Sequence, residues 1–194
     1  MQKGVILMEF WYTLLGATVL LLSLPYVRML LIRLTCMRRL KKLCRKKGHL
    51  LHAAHPFLCL SRRNARTCDL YIETAREVFA VKLFGLPHKN DRLMIMENGA
   101  YFVQKIIPLL SFASASLNKT NCRSKPLPVY DFRHGYKEIW ELKTPRRLLL
   151  LCPDTEVRRI PQRGTPVTLG IGDIVGNAEL FTMSHMIRVL ESDT

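Results

Sequence analysis

The feature that most constrains this chain is a run of almost entirely apolar or small residues, Val5 to Val27, followed at once by a basic tract without a single acid. Only Glu9 and Pro25 break the run. As a helix its 23 residues, at about 1.5 Å each, would span roughly 34 Å, against about 30 Å for a bilayer hydrocarbon core. The run therefore predicts one N-terminal transmembrane helix within residues 1–27. Phe10, Trp11 and Tyr12 at one end and Tyr26 at the other suit the two interfaces. Pro25 near the far end is tolerable there. A cleaved signal peptide would need small residues after the run, and Leu24-Pro25-Tyr26-Val27-Arg28 offers no such site.

The tract at 28–47 holds nine of the chain's 30 basic residues, and 48–194 holds twenty against fourteen acids. Of a formal charge of +15, the tract thus carries +9 and the body about +6. Bases flanking an apolar run stay on the cytoplasmic side. This predicts a single-pass membrane protein with its N-terminus outside and its C-terminal domain, 48–194, in the cytoplasm. Six cysteines without a C-x-x-C or other short pairing agree with a reducing compartment. The sequon Asn118-Lys119-Thr120 would then never meet the glycosylation machinery.

Within the tract, Leu30, Leu34, Met37, Leu40 and Cys44 recur at steps of three and four. That spacing predicts a basic amphipathic juxtamembrane helix over 28–47. Its apolar side would lie on the membrane. Arg33, Arg38, Arg39, Lys41, Lys42, Arg45, Lys46 and Lys47 would face anionic lipid headgroups, at about 1 kcal/mol per base near the lipid. The same charges would also serve as a pure topology signal, or attract nucleic-acid phosphates.

Beyond Gly48, residues 49–55 are expected to continue or restart a helix until Pro56. Residues 68–74 and 78–84 read as a hairpin turned at Ala75, Arg76 and Glu77. Residues 92–97 and 100–107 read as a second, turned at Asn98-Gly99, which accepts the positive φ that a two-residue turn demands. Residues 109–117 are expected as a short helix, 125–128 as extended chain, and 130–143 as a polar, aromatic-rich loop or edge. Leu148 to Cys152 reads as a fully buried strand. Strands at 156–160 and 167–169, a glycine loop at 170–176 and a terminal helix capped by Thr182 or Ser184 complete the chain. The expectation is an α/β fold, a mixed, largely antiparallel sheet flanked by helices.

Four groupings bear on chemistry. His49, His52, His55 and Cys59 have donor types that suit zinc, but their spacing fits a polar stripe better. Tyr130, Arg133, His134, Tyr136 and Trp140 combine aromatic and cationic groups, as a protein-partner surface or a self-pinning loop does. Asp131 and His134 could approach one another, yet no nucleophile signature accompanies them. The glycines Gly170, Gly172 and Gly176 lack the G-K-S/T ending of a phosphate loop.

The fourth grouping is Asp69, at the start of one predicted strand, with Lys82 late in its partner. This order resembles the restriction-endonuclease-like superfamily, the PD-(D/E)xK nucleases and their NERD relatives, over about residues 45–105, with the strand at 148–152 and the terminal helix as a possible extension of it. That resemblance implies a Mg²⁺- or Mn²⁺-dependent nuclease, with Asp69 and a second acid holding the metal and Lys82 stabilising charge. The second acid belongs two residues before the lysine, where this chain has Ala80. Glu73 would have to replace it as the catalytic carboxylate, or else Glu77 or Glu97. The sequence thus points first to a membrane-tethered, non-catalytic binding or scaffolding module without a cofactor, whose partners are anionic lipid and an unidentified protein. A membrane-anchored nuclease and a non-catalytic nucleic-acid binder are the alternatives.

Overall fold

The computed structural model describes residues 2–53, 66–86, 91–104, 124–133 and 136–193, and within 2–26 only the side chains of Thr18 and Leu24. The chain opens with one unbroken helix, α1 (Gln2–Lys47), 46 residues long, about 69 Å at the usual rise. It ends in a Schellman turn. Gly48 takes φ +75°, and His49 N–H donates to Cys44 O at 2.9 Å, satisfying a terminal carbonyl. The apolar run forms the first part of α1, but the side chains on which its membrane passage rests lie outside the described residues. Among the described residues no helix is long and apolar enough to cross a membrane.

From Gly48 the chain turns into β1 (Leu50–Ala53), not a second helix. β1 lies antiparallel on β2 (Leu70–Glu73), which pairs with β3 (Val78–Gly85). The histidines' three-residue spacing mimics a helix, whereas here the chain pairs as a largely exposed edge strand. His55 and Cys59 lie outside the described residues. The expected hairpin at 92–107 is present as β4 (Arg92–Met96) and β5 (Ala100–Gln104). Its turn differs from expectation, because only Gly99 has positive φ. Gly99 N–H donates to Met96 O at 3.0 Å, so Glu97 and Asn98 form the turn and Gly99 the following left-handed residue of a three-residue loop. Residues 105–123, with the helix expected at 109–117, are outside the described set.

Lys125–Pro126 form the short β6, and the expected loop at 130–143 contains helix α2 (Lys137–Leu142). β7 (Arg146–Cys152) is the foreseen buried strand, with Leu148 to Cys152 all inaccessible. β8 (Val157–Ile160) and β9 (Val167–Leu169) follow. The expected glycine loop instead leads into β10 (Ile174–Val175) and β11 (Ala178–Thr182), and α3 (Met183–Ser192) closes the chain. Thr182 caps α3, its hydroxyl accepting from His185 N–H.

The strands form two mixed sheets, β1-β2-β3-β7-β11-β10 and β6-β5-β4-β8-β9. In the first, β3, β7 and β11 run parallel. Helices α1 and α3 cover one of its faces, and the short α2 packs Ile139 and Trp140 on the side of the other. On their face α1 and α3 bury Cys36, Leu40, Cys44, Met186 and Leu190 against Leu70, Ile72, Phe79, Val81, Leu148 and Leu150. Against its other face the second sheet packs Leu93, Ile95 and Val157 onto Tyr71, Ala80, Leu149, Leu151 and Leu180. The result is three layers, helix on sheet on sheet. The apolar stripe of the basic helix is therefore part of the protein core, not an apolar face free to lie on lipid. Each sheet-facing position must fit its neighbours.

Leu40→Ala should accordingly lower the unfolding free energy of the full chain by about 2–5 kcal/mol. The adjacent, outward Lys41→Ala should change it by less than about 0.5 kcal/mol. Denaturant titration in mild detergent measures both, and equal small losses would mean that the helix is not core.

Candidate functional site

The register of β2 on β3 ends with Leu70 opposite Val81; Asp69, just before β2, donates its N–H to Val81 O at 3.0 Å, and its side chain meets that of Lys82, the next residue of β3. Lys82 Nζ lies 3.2 Å from Asp69 Oδ1 and donates to Thr67 O at 2.6 Å. It also sits 5.7 Å from the centre of the Tyr130 ring. Asp69 Oδ2 accepts the Leu83 N–H at 2.8 Å. β2 begins only after Asp69, so this carboxylate oxygen takes the place of a strand carbonyl for Leu83. The Asp69 side chain is 1% exposed and that of Lys82 5%.

The third member was not expected here. Arg33 of α1 brings Nη2 to 2.7 Å from Asp69 Oδ2, its side chain 16% exposed. That Nη2 is buried without an aligned hydrogen bond, so the contact is a close charge pair rather than a bidentate fork. Met29 and Arg33 lie against Gly85 at the end of β3, and Cys36, Leu40 and Cys44 continue the same inward stripe. Arg33 thus occupies a core-facing position of the helix, which the spacing could have revealed. Its assignment to the membrane surface is corrected.

One carboxylate therefore serves two cations and a backbone N–H. Mg²⁺ and Mn²⁺ need several oxygen ligands, and this donor set does not fit them. Ala80 is fully buried between the sheets. Glu73 is four strand positions from Asp69, about 13 Å, and pairs with Lys143. Glu77 binds Arg146 at the opposite end of β3. Glu97, in the second sheet's hairpin, accepts the Gln162 N–H at 2.9 Å. The structure brings Asp69 and Lys82 together but not Glu73 with them. Among the described residues no group of three or more His, Cys, Asp or Glu side chains is placed to hold a metal.

The neighbours are not poised for acid–base or nucleophilic work near neutral pH. Burial first, then the Asp69 charge, pushes the Cys68 thiol up to about 12. Burial likewise raises the Tyr130 and Tyr71 phenols above their ordinary range.

The aromatic segment is pinned to its own domain. Tyr130 and Phe132 are buried, Tyr71 Oη donates to Phe132 O at 2.6 Å, and Trp140 Nε1 donates to Phe132 O at 3.1 Å and to Tyr71 Oη. Tyr136 stacks at a tilt on Tyr71, 4.3 Å between ring centres. Arg133 and the unforeseen Arg147 lie 5.4 and 5.3 Å from the Trp140 ring centre, in cation–π range. Tyr130 and Trp140 are thus committed inside the domain, and of the expected partner surface only Arg133 is well exposed. His134 lies outside the described residues.

On α1 the outward face carries Arg38, Arg39, Lys41, Lys42, Arg45 and Lys46, all exposed. Lys47 instead donates to Glu191 O at 3.0 Å. No protein family, curated protein or solved structure matches the chain.

Asp69→Asn keeps the shape of the site but leaves Arg33 and Lys82 without their anion. It should destabilise the chain by about 3–5 kcal/mol. Adding Lys82→Met, which removes one stranded charge, should recover part of that loss. A loss below about 1 kcal/mol for Asp69→Asn, read from denaturant midpoints, would show that the ion cluster does not hold the fold.

Proposed function

We propose that this chain is a membrane-tethered, non-catalytic binding module. In this reading residues 1–27 cross the bilayer once, the N-terminus is outside, and the folded body lies in the cytoplasm beside anionic headgroups. There it presents its surface to an unidentified protein partner.

The observation that carries the reading is the unbroken α1. A single helix holds both the apolar run and the core stripe Cys36, Leu40 and Cys44, so the tether and the domain share one rigid element. Its exposed bases agree with a cytoplasmic, lipid-facing side. Against catalysis stands the engagement of Asp69 by Arg33, Lys82 and the Leu83 N–H. A divalent ion would have to displace two cations from the single carboxylate. In favour of the degenerate nuclease resemblance stands the pairing of Asp69 with Lys82 across adjacent strands, a reading in which the architecture is kept and the metal site lost.

Two measurements decide between these readings. In cells expressing the full chain, alkaline carbonate should leave the protein in the membrane pellet, with a C-terminal tag open to protease from the cytoplasmic side. Release into the supernatant would overturn the tether. Purified full-length protein in detergent should cleave neither DNA nor RNA in Mn²⁺. Cleavage that Lys82→Ala abolishes would overturn the non-catalytic reading and establish a rearranged active site. Steeply salt-dependent retention of nucleic acid without cleavage would favour the nucleic-acid binder.

A further inference from the structure

Arginines of the folded body commonly end on acids. Arg76 pairs with Asp193, Arg92 and Arg158 with Glu156, and Arg146 with Glu77 and Glu179. Arg133 and Arg147 do not. Both are exposed, and among the described residues neither side chain has an acid partner. Their guanidinium carbons lie instead 5.4 and 5.3 Å from the centre of the Trp140 ring. Stacking on a ring occupies the flat face of a guanidinium and leaves its N–H edges free.

The platform beneath them is fixed. Trp140 Nε1 donates to Phe132 O at 3.1 Å and to Tyr71 Oη. Arg133 N–H donates to Asp131 Oδ1 at 3.0 Å, and Arg147 stands in β7 opposite Ala80 of β3.

We propose that Arg133 and Arg147, held on Trp140, are the docking point for an acidic segment of the protein partner. This deepens the binding-module reading and rests on it for the existence of that partner. Sharing one ring, the two guanidinium carbons stand within about 11 Å of each other. Two carboxylates three residues apart on an extended chain span about 10 Å, so one short acidic run can meet both. Each guanidinium offers a carboxylate a pair of N–H donors, a fork that lysine lacks. Because the ring already orders both side chains, binding costs them less rotamer freedom.

The position of the pair separates this occupant from lipid. β3 begins beside the C-terminal end of α1, where Val78 pairs with Glu73 and Glu73 with Leu50. It ends at Gly85, against Met29 and Arg33 just beyond the proposed span. Gly85 is opposite Cys152 and Ala80 opposite Arg147. Arg147 is thus five strand positions back from the membrane end, about 17 Å along the sheet. Headgroup fields decay over about 8 Å at physiological salt.

The test uses the full chain in neutral detergent on a Trp11→Phe background, which leaves Trp140 as the single tryptophan. A hexaglutamate peptide is titrated against Trp140 emission, with hexalysine as control. Hexaglutamate should shift the emission saturably, and hexalysine should not. Arg133→Gln with Arg147→Gln should weaken binding about tenfold. Arg133→Lys with Arg147→Lys keeps the charge without the fork and should recover only part of that loss. Arg163→Gln with Arg188→Gln removes equal charge elsewhere on the surface and should leave the titration unchanged. An unmoved Trp140 emission, equal weakening in both glutamine pairs, full recovery by lysine, or tighter binding of hexathymidylate than of hexaglutamate would each overturn the proposal, the last in favour of nucleic acid. Since the titration is made in detergent, its failure would leave the tether standing, and release of the chain by carbonate would leave the titration untouched.

Discussion

The buried carboxylate of Asp69 is the point at which the elements of the fold are tied together. It lies where β2 stops and β3 continues, and one oxygen takes over the Leu83 N–H that a longer β2 would have paired. Arg33 reaches it from the helix layer and Lys82 from the strand beside it. Lys82 in turn donates to Thr67 O, and Thr67 bridges to Asp131. Asp131 N–H donates to Arg66 O at 2.8 Å, and Cys68 N–H to Asp131 O at 3.2 Å. One charge cluster thus joins α1, the hairpin of the first sheet and the loop that carries Tyr130 and Phe132 into the space between the sheets. A buried ion pair of this kind adds little stability over an apolar replacement, but loss of one partner is severe. We read its contribution as fixing how the helix, sheet and loop are registered on one another.

How much of this was legible depended on whether a residue's role could be seen within a few neighbours. The hairpins were legible because their strands have period-two character and bounded turns, and β7 because Leu148 to Leu151 form an uninterrupted apolar run. The cap at Thr182 was legible from residue type. β11 was not. It is a five-residue strand with Glu179 at its second position, preceded by glycines, and it gains its strand state from pairing with β7, far away in sequence. β1 was missed for a related reason, since an edge strand of four residues carries too short a pattern to compete with a histidine spacing that imitates a helix. α2 has only six residues, with no buried side chain.

The candidate site was half legible. The nearness of Asp69 to Lys82 followed from the hairpin, once it was recognised. What the pair does depended on Arg33, and counting the charges of the tract placed that residue on the surface with the rest. Its spacing from Cys36 and Leu40 put it among the inward positions instead, the more local and more reliable signal. A charge at an apolar position of an amphipathic helix implies an opposite charge opposite it. Asp69, already paired with Lys82, is the acid that Arg33 meets.

The same spacing changes how the proposed tether would work. An amphipathic helix lying in the interface draws binding from apolar burial as well as charge. Here the apolar stripe from Cys36 to Cys44 is spent inside the domain, and the exposed apolar side chains Leu24, Val27 and Leu31 precede it. Helix α1 would therefore approach the bilayer end-on. At about 1.5 Å per residue, Arg38 then stands about 16 Å beyond Val27, and Arg45 about 27 Å. Surface fields decay over about 8 Å at physiological salt. Arg28 lies within that range, Arg38 and Arg39 reach towards it with their long side chains, and Arg45 and Lys46 lie outside it. The far end of the basic face can act on lipid only if the rod tilts, which would also bring one edge of the domain down to the headgroups. Kept upright, that end is available to an acidic protein partner instead, and the +9 of the tract would be divided between membrane and partner by distance alone.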